Sequence, residues 1–80
     1  MTTMHELAYD EIGIRIRKER LKQSLSQEKL AEKCDISTSF MGHIERGTKK
    51  MSLDTLVRIA YELNLSTDYL LMDELPPSDE

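Results

Sequence analysis

SQEKLAEKCDISTSFMGHIERG, residues 26–47, decides how this chain folds. Ser26 stands where a helix N-cap belongs, and Glu28 follows near the positive end of the helix dipole. The helix it opens runs to about Cys34, with Leu30, Ala31 and Cys34 on one face. Ala31 is small enough to allow a close helix crossing. Asp35 comes where the chain must turn, and Asp tolerates left-handed backbone better than most residues, though less well than Gly. Ile36 plugs the angle between two helices. Ser37 caps the second of them, which ends at Gly47, a natural residue just past a helix C-terminus. Its inward face is Phe40, Met41 and Ile44; its outward face is Thr38, Ser39, Gly42, His43 and Arg46. That outer face is small and polar and lacks the Glu/Lys pairs of a merely solvated helix. Gly42 costs about 1 kcal/mol against Ala in a helix interior, a cost that close approach to a surface would explain.

Outward from this stretch the chain reads as helix on both sides. A first helix, capped by Asp10 or a neighbour, runs to about Gln23. Its apolar stripe is Ile12 and Ile16, joined by Ile14 and Leu21, and Gly13 weakens its first turn. After Gly47 comes a basic loop, Thr48-Lys49-Lys50-Met51. Ser52 caps a fourth helix with the stripe Leu53, Leu56, Ile59, Ala60 and Leu63, ended by Asn64. Ser66 caps a short fifth helix that returns Leu70 and Leu71 to the core. Residues 1–9 are expected as a flexible segment, 10–72 as one all-α domain of five short helices, and 73–80 as an acidic disordered tail. Tyr61, Tyr69 and Met72 are candidates for an apolar self-association patch, with core packing as the alternative.

The formal net charge is −4, which argues against nucleic acid until its distribution is examined. Residues 12–50 hold ten Lys/Arg against five Asp/Glu, whereas residues 51–80 hold Arg58 against seven acids. A basic half between acidic ends permits a local positive face. One Cys excludes an internal disulfide and any cysteine-based metal cluster, and fits a reducing cytoplasm. His5 and His43 are isolated, so neither metal nor cofactor is expected. No apolar run approaches the roughly 20 residues of a membrane span.

Catalysis finds no support. There is no Gly-rich phosphate loop and no spaced ligand set. Ser24, Ser26, Cys34 and His43 can be assembled on paper into a nucleophile and base, but the serines read as turn and cap residues and Cys34 as core. Single-stranded nucleic acid is disfavoured because no aromatic platform is available for stacking. Two short capped helices about a three-residue turn, the second with a polar outer face and a basic loop behind it, suit the major groove of duplex DNA, which admits one helix.

Three segments in register resemble the Cro and phage-repressor helix-turn-helix family, also called the XRE family. They are IRKERLKQSLSQEKLAEKC, DISTSFMGHIERG and SLDTLVRIAYELNLSTDYLL, which together cover most of the chain. Asp35 stands where the family often has Gly, and Met51 where Pro is frequent. The resemblance implies a lambda-repressor-like five-helix domain that binds double-stranded operator DNA, usually as a homodimer. It implies that Gln27 contacts phosphate and braces the recognition helix, and that Thr38, Ser39 and His43 face base edges with Gly42 at the interface. Arg46, Lys49 and Lys50 would contact phosphates, and Arg20 and Glu45 would form a buried structural ion pair. For Gln27, Thr38, Ser39, His43 and the two lysines the plain alternative is a solvated surface position. The acidic ends leave room for a second function, an antitoxin or protein-interaction module on the same fold with a protein partner.

Overall fold

The computed structural model of the protein describes residues 7–72, and the helices in it are α1 (Tyr9–Lys22), α2 (Gln27–Cys34), α3 (Thr38–Arg46), α4 (Leu53–Leu63) and α5 (Thr67–Leu70). Of the expected flexible segment, residues 1–6 lie outside the described part, as does the acidic tail 73–80. Leu7 packs against the core and Tyr9 already opens α1, so order begins before residue 10.

Four of the five helices begin on a serine that does what local chemistry demands. The hydroxyls of Ser26, Ser37, Ser52 and Ser66 accept from the amides of Lys29, Phe40, Thr55 and Tyr69 at 2.9–3.1 Å. Helix α1 is the exception. Its N-cap is Ala8, without a side-chain bond, and Asp10 is not the cap but sits with Glu11 inside the first turn, where both carboxylates favour the helix dipole.

The first four helices also share one ending. Ser24, Asp35, Gly47 and Asn64 take left-handed backbone, with φ of 57–72°. The amide of each returns to the carbonyl three residues back, at 3.0–3.1 Å. The following amide returns five back: Leu25 to Arg20, Ile36 to Ala31, Thr48 to His43 and Leu65 to Ala60, at 2.8–3.0 Å. This double bond pattern satisfies the carbonyls a helix end leaves over. Leu25, Ile36 and Leu65 then tuck against the core, whereas Thr48 stays exposed.

The core is aliphatic. Ile12, Ile16, Leu30, Met41, Ile44, Ile59, Leu63 and Leu70 are fully buried among the helices. Three expected core residues are instead on the surface: Ile14 (58% exposed), Leu21 (53%) and Leu53 (71%). The buried line along α1 runs Ile12, Ile16, Arg20 at steps of four, so Leu21 is turned away and a charged residue takes the third place. Leu53 is the first residue of α4, one turn beyond Leu56 at the edge of the core.

Gly13 has a different role from the weak helical position expected. A Cβ there would lie 2.5 Å from the Glu45 carbonyl oxygen, so α1 crosses α3 backbone against backbone. Gly47 needs its small size as well as its φ, because a Cβ would meet the backbone nitrogen of Asp10 at 2.6 Å. Side chains from elsewhere in the fold reach the C-terminal carbonyls of α5, α4 and α2: Arg15 donates to the Leu70 carbonyl, Gln23 to Leu63 and Arg58 to Lys33, at 2.8–3.1 Å. These packing devices hold α2 and α3 in a fixed pose.

Candidate nucleic-acid interface

The centre of the α2–α3 arrangement is a buried carboxylate. Glu45 is the one acid on α3, and it points inward. Its Oε2 accepts from Arg20 Nε at 2.6 Å and its Oε1 from Arg20 Nη2 at 3.0 Å. Arg20 spends its remaining Nη1 on the Leu25 carbonyl at 2.7 Å. The fork matches the carboxylate plane, which is the geometry that makes Arg suited to a buried pair. Gln27 Nε2 also donates to Glu45 Oε1, at 3.0 Å, and the exposed Arg17 guanidinium lies 4.0 Å from the same oxygen. Helices α1, α2 and α3 are thus locked at one point.

This lock determines the charge of the outer face. With Glu45 inside and paired, the exposed part of α3 carries Thr38, Ser39 and Arg46 and no carboxylate. Thr38 and Ser39 are exposed in its first turn, and His43 is half-buried one turn before its end. His43 Nδ1 lies 2.8 Å from the Thr48 hydroxyl, which is itself 3.3 Å from the His43 carbonyl.

Gly42 differs from its expected place on the open face. It is buried, because the Arg46 guanidinium and the Gln27 side chain fold over it. A Cβ at residue 42 would lie 3.0 Å from Arg46 Nη1 and 3.6 Å from Gln27 Oε1. Gln27 is half-buried rather than free, with its amide nitrogen given to Glu45 and its oxygen beside Gly42. Lys49 is exposed; the Lys50 ammonium sits over the Tyr9 ring, 5.9 Å from its centroid, on the α1 side of the loop. The structure therefore brings Gln27, Gly42 and Arg46 together, keeps Thr38, Ser39 and His43 on the same helix, and parks Lys50 apart. Sequence reasoning passed over Thr48, which looked like one more polar loop residue.

Cys34 is buried, and its thiol is pushed up to about 11, first by burial, then by the charge of Glu62, with Arg58 opposing. It packs in the core and makes no nucleophile. Among the described residues no group of three or more His, Cys, Asp or Glu is placed to hold a metal ion. No helix among them is long and apolar enough to cross a membrane.

The helix-turn-helix family model HTH_3 matches residues 16–70. The chain belongs to the XRE helix-turn-helix family. It is 42% identical over 60 residues to the control protein C.BamHI of Bacillus amyloliquefaciens, covering 74% of each chain. Among solved structures, the restriction-modification controller protein C.AhdI from Aeromonas hydrophila superposes with a TM-score of 0.74 and 32% identity, covering 78% of this chain and 94% of that one. The master regulator for biofilm formation SinR, solved in complex with DNA, gives 0.71 and 33%, covering 75% and 97%. This XRE-family chain spans 44–55% of the length of the other curated relatives it matches. Membership makes it a DNA-binding regulator.

Proposed function

We propose that the protein is a sequence-specific transcriptional regulator that lays α3 in the major groove of duplex operator DNA, as a homodimer on a palindromic site. The observation that carries this reading is the exposed face of α3: Thr38, Ser39, His43 and Arg46, with the helix's one carboxylate buried against Arg20. A helix without exposed negative charge enters a groove about 12 Å wide between two rows of phosphates. Thr38, Ser39 and His43 face bases, while Arg46, Lys49 and Gln27 engage phosphate. Lys50 joins them by leaving the Tyr9 ring. Ser and Thr discriminate bases weakly, so water and DNA shape contribute to recognition. Such a target places the protein in the cytoplasm, and its function is binding rather than catalysis. The names of C.BamHI and C.AhdI extend the reading to a control protein of restriction-modification genes.

Gel shifts on DNA selected from a random pool test the proposal. Gln27→Ala and Lys49→Ala are expected to weaken binding to every sequence, and Ser39→Ala to alter preference. Arg46→Ala is expected to lower the salt slope by about 0.9, because one phosphate fewer is neutralised. Failure to retard any DNA at low salt refutes the reading.

A protein-interaction module, such as an antitoxin, is the second reading. It is favoured by an apolar stripe on α4, Leu53, Val57 and Tyr61, of which Tyr61 is 77% exposed. A partner that co-purifies through high salt, with DNA binding absent, would establish it. The same stripe also offers room for the homodimer; the exposed Met72 lies beside Ile14 of α1, and Tyr69 packs against the core.

A further inference from the structure

Four helices end in the same way, and one of the four endings is chemically different. At the ends of α1, α2 and α4 the residue after the left-handed position is apolar, Leu25, Ile36 or Leu65, and it packs against the core. That contact is the usual companion of this helix ending. At the end of α3 the same position is Thr48, exposed, and its side chain turns back to the ring of His43, five residues earlier. A hydrophobic tuck has been replaced by a hydrogen bond to a residue on the outer face.

The Thr48 hydroxyl has two neighbours on His43, and how it divides its one hydrogen between them sets the protonation of the ring. A threonine hydroxyl has one hydrogen and two lone pairs. Thr48 Oγ1 lies 3.3 Å from the His43 carbonyl, which it can meet only as donor, and 2.8 Å from Nδ1. A hydroxyl that gives its hydrogen to the carbonyl accepts from Nδ1–H; one that gives it to the ring would require the Nε2–H tautomer. In the first arrangement the neutral ring holds its lone pair on Nε2, the nitrogen left for an outside partner.

We propose that Thr48 is a positioning residue for base recognition: it fixes the His43 ring with the proton on Nδ1, so that Nε2 accepts a hydrogen bond from an exocyclic amine in the major groove. The donors of that kind are adenine N6 and cytosine N4; guanine and thymine offer acceptors there. His43 thereby selects an amine at its position in the half-site. Thr48 sets this preference without touching the base. The inference rests on the DNA reading above and adds the chemistry His43 selects.

The test has a readout that does not depend on DNA. Imidazole nitrogen chemical shifts, measured by NMR on the free, full-length protein with the ring neutral, report the tautomer. The wild-type chain and Thr48→Ser are expected to show His43 with Nδ1–H, and Thr48→Val to lose that preference while thermal unfolding remains cooperative. In DNA selection, Thr48→Val is expected to lose roughly fivefold in preference for the amine-bearing base, the equivalent of one neutral hydrogen bond, and Thr48→Ser to restore it. In the His43→Ala background, Thr48→Val is expected to change nothing further. An Nε2–H tautomer in the wild-type chain, or a Thr48→Val protein with unchanged tautomer and unchanged base preference, overturns the proposal while DNA binding stands. The Nδ1–H tautomer in a protein that binds no DNA overturns the base-reading step together with the DNA reading.

Discussion

Replacing Arg20 with Met removes three hydrogen bonds from the lock between α1, α2 and α3, two to Glu45 and one to the Leu25 carbonyl. The Glu45 side chain is 2% exposed, so its charge then keeps the single neutral amide of Gln27 and an Arg17 guanidinium 4.0 Å away at the surface. Removing one partner of such a pair costs roughly 3–5 kcal/mol, chiefly because a buried charge is stranded. At about 0.05–0.15 kcal/mol per residue, a domain of this length has roughly 4–12 kcal/mol in all. Arg20→Met should therefore lose a large share of the stability. Far-UV circular dichroism in urea measures it; with a slope near 1 kcal/mol per molar, the midpoint should fall by about 3 M or more. The double variant Arg20→Met/Glu45→Leu should recover to within about 1 kcal/mol of wild type, since an apolar pair of similar volume replaces a buried ion pair at little cost. It should still bind DNA less tightly, because Gln27 is deprived of the carboxylate that holds its amide. A single variant costing under about 1 kcal/mol, or a double variant as unstable as the single, would refute this account of the lock.

Three further perturbations separate local from tertiary causes. Gly13→Ala should destabilise by about 1–3 kcal/mol despite better helix propensity, because its Cβ meets fixed backbone of α3, whereas Gly42→Ala should stabilise by about 0.5–1 kcal/mol, because only the mobile end of Arg46 lies in the way; urea midpoints decide both. Ser24→Gly should raise stability by about 1 kcal/mol in the same assay, since Ser24 holds φ of 60° without the side-chain type that suits it. Cys34, raised from about 9 to about 11 in the folded state, contributes stability that is complete below about pH 9 and lost as pH climbs towards 11, so Cys34→Ala should flatten the alkaline decline in thermal midpoint.

What was legible in the sequence was local. The four serine caps bond within three residues of themselves, so residue type and spacing suffice to place them. Asp35, Gly47 and Asn64 belong to the types that enter left-handed backbone, and they end their helices as expected. Ser24 does not belong to those types, which hid an identical ending on α1. The stripe on α1 was misread because a continuing line of fours led to Arg20, which is buried only by virtue of Glu45, 25 residues away. No periodicity carries that pairing; family resemblance did. Gly13 looked like a weakness because its partner, the α3 backbone, is equally remote. Of the proposed contact residues, Thr38, Ser39, His43 and Arg46 lie on α3 where helical spacing puts them. The burial of Gly42 was not legible, since its cover is the side chain of Arg46 and a glutamine from another helix. Thr48 carries no signal by residue type, because its contact with His43 exists only through the left-handed ending of α3.

The measurement that bears most directly on the central claim is selection of duplex DNA from a random pool by the purified full-length protein. The expected result is an enriched palindrome, with half-sites about one helical turn apart and an adenine or cytosine at the position that Thr48→Val relaxes. Recovery of no enriched sequence at low salt, or of one that His43→Ala, Ser39→Ala and Arg46→Ala leave unchanged, would contradict a DNA-reading role for the outer face of α3.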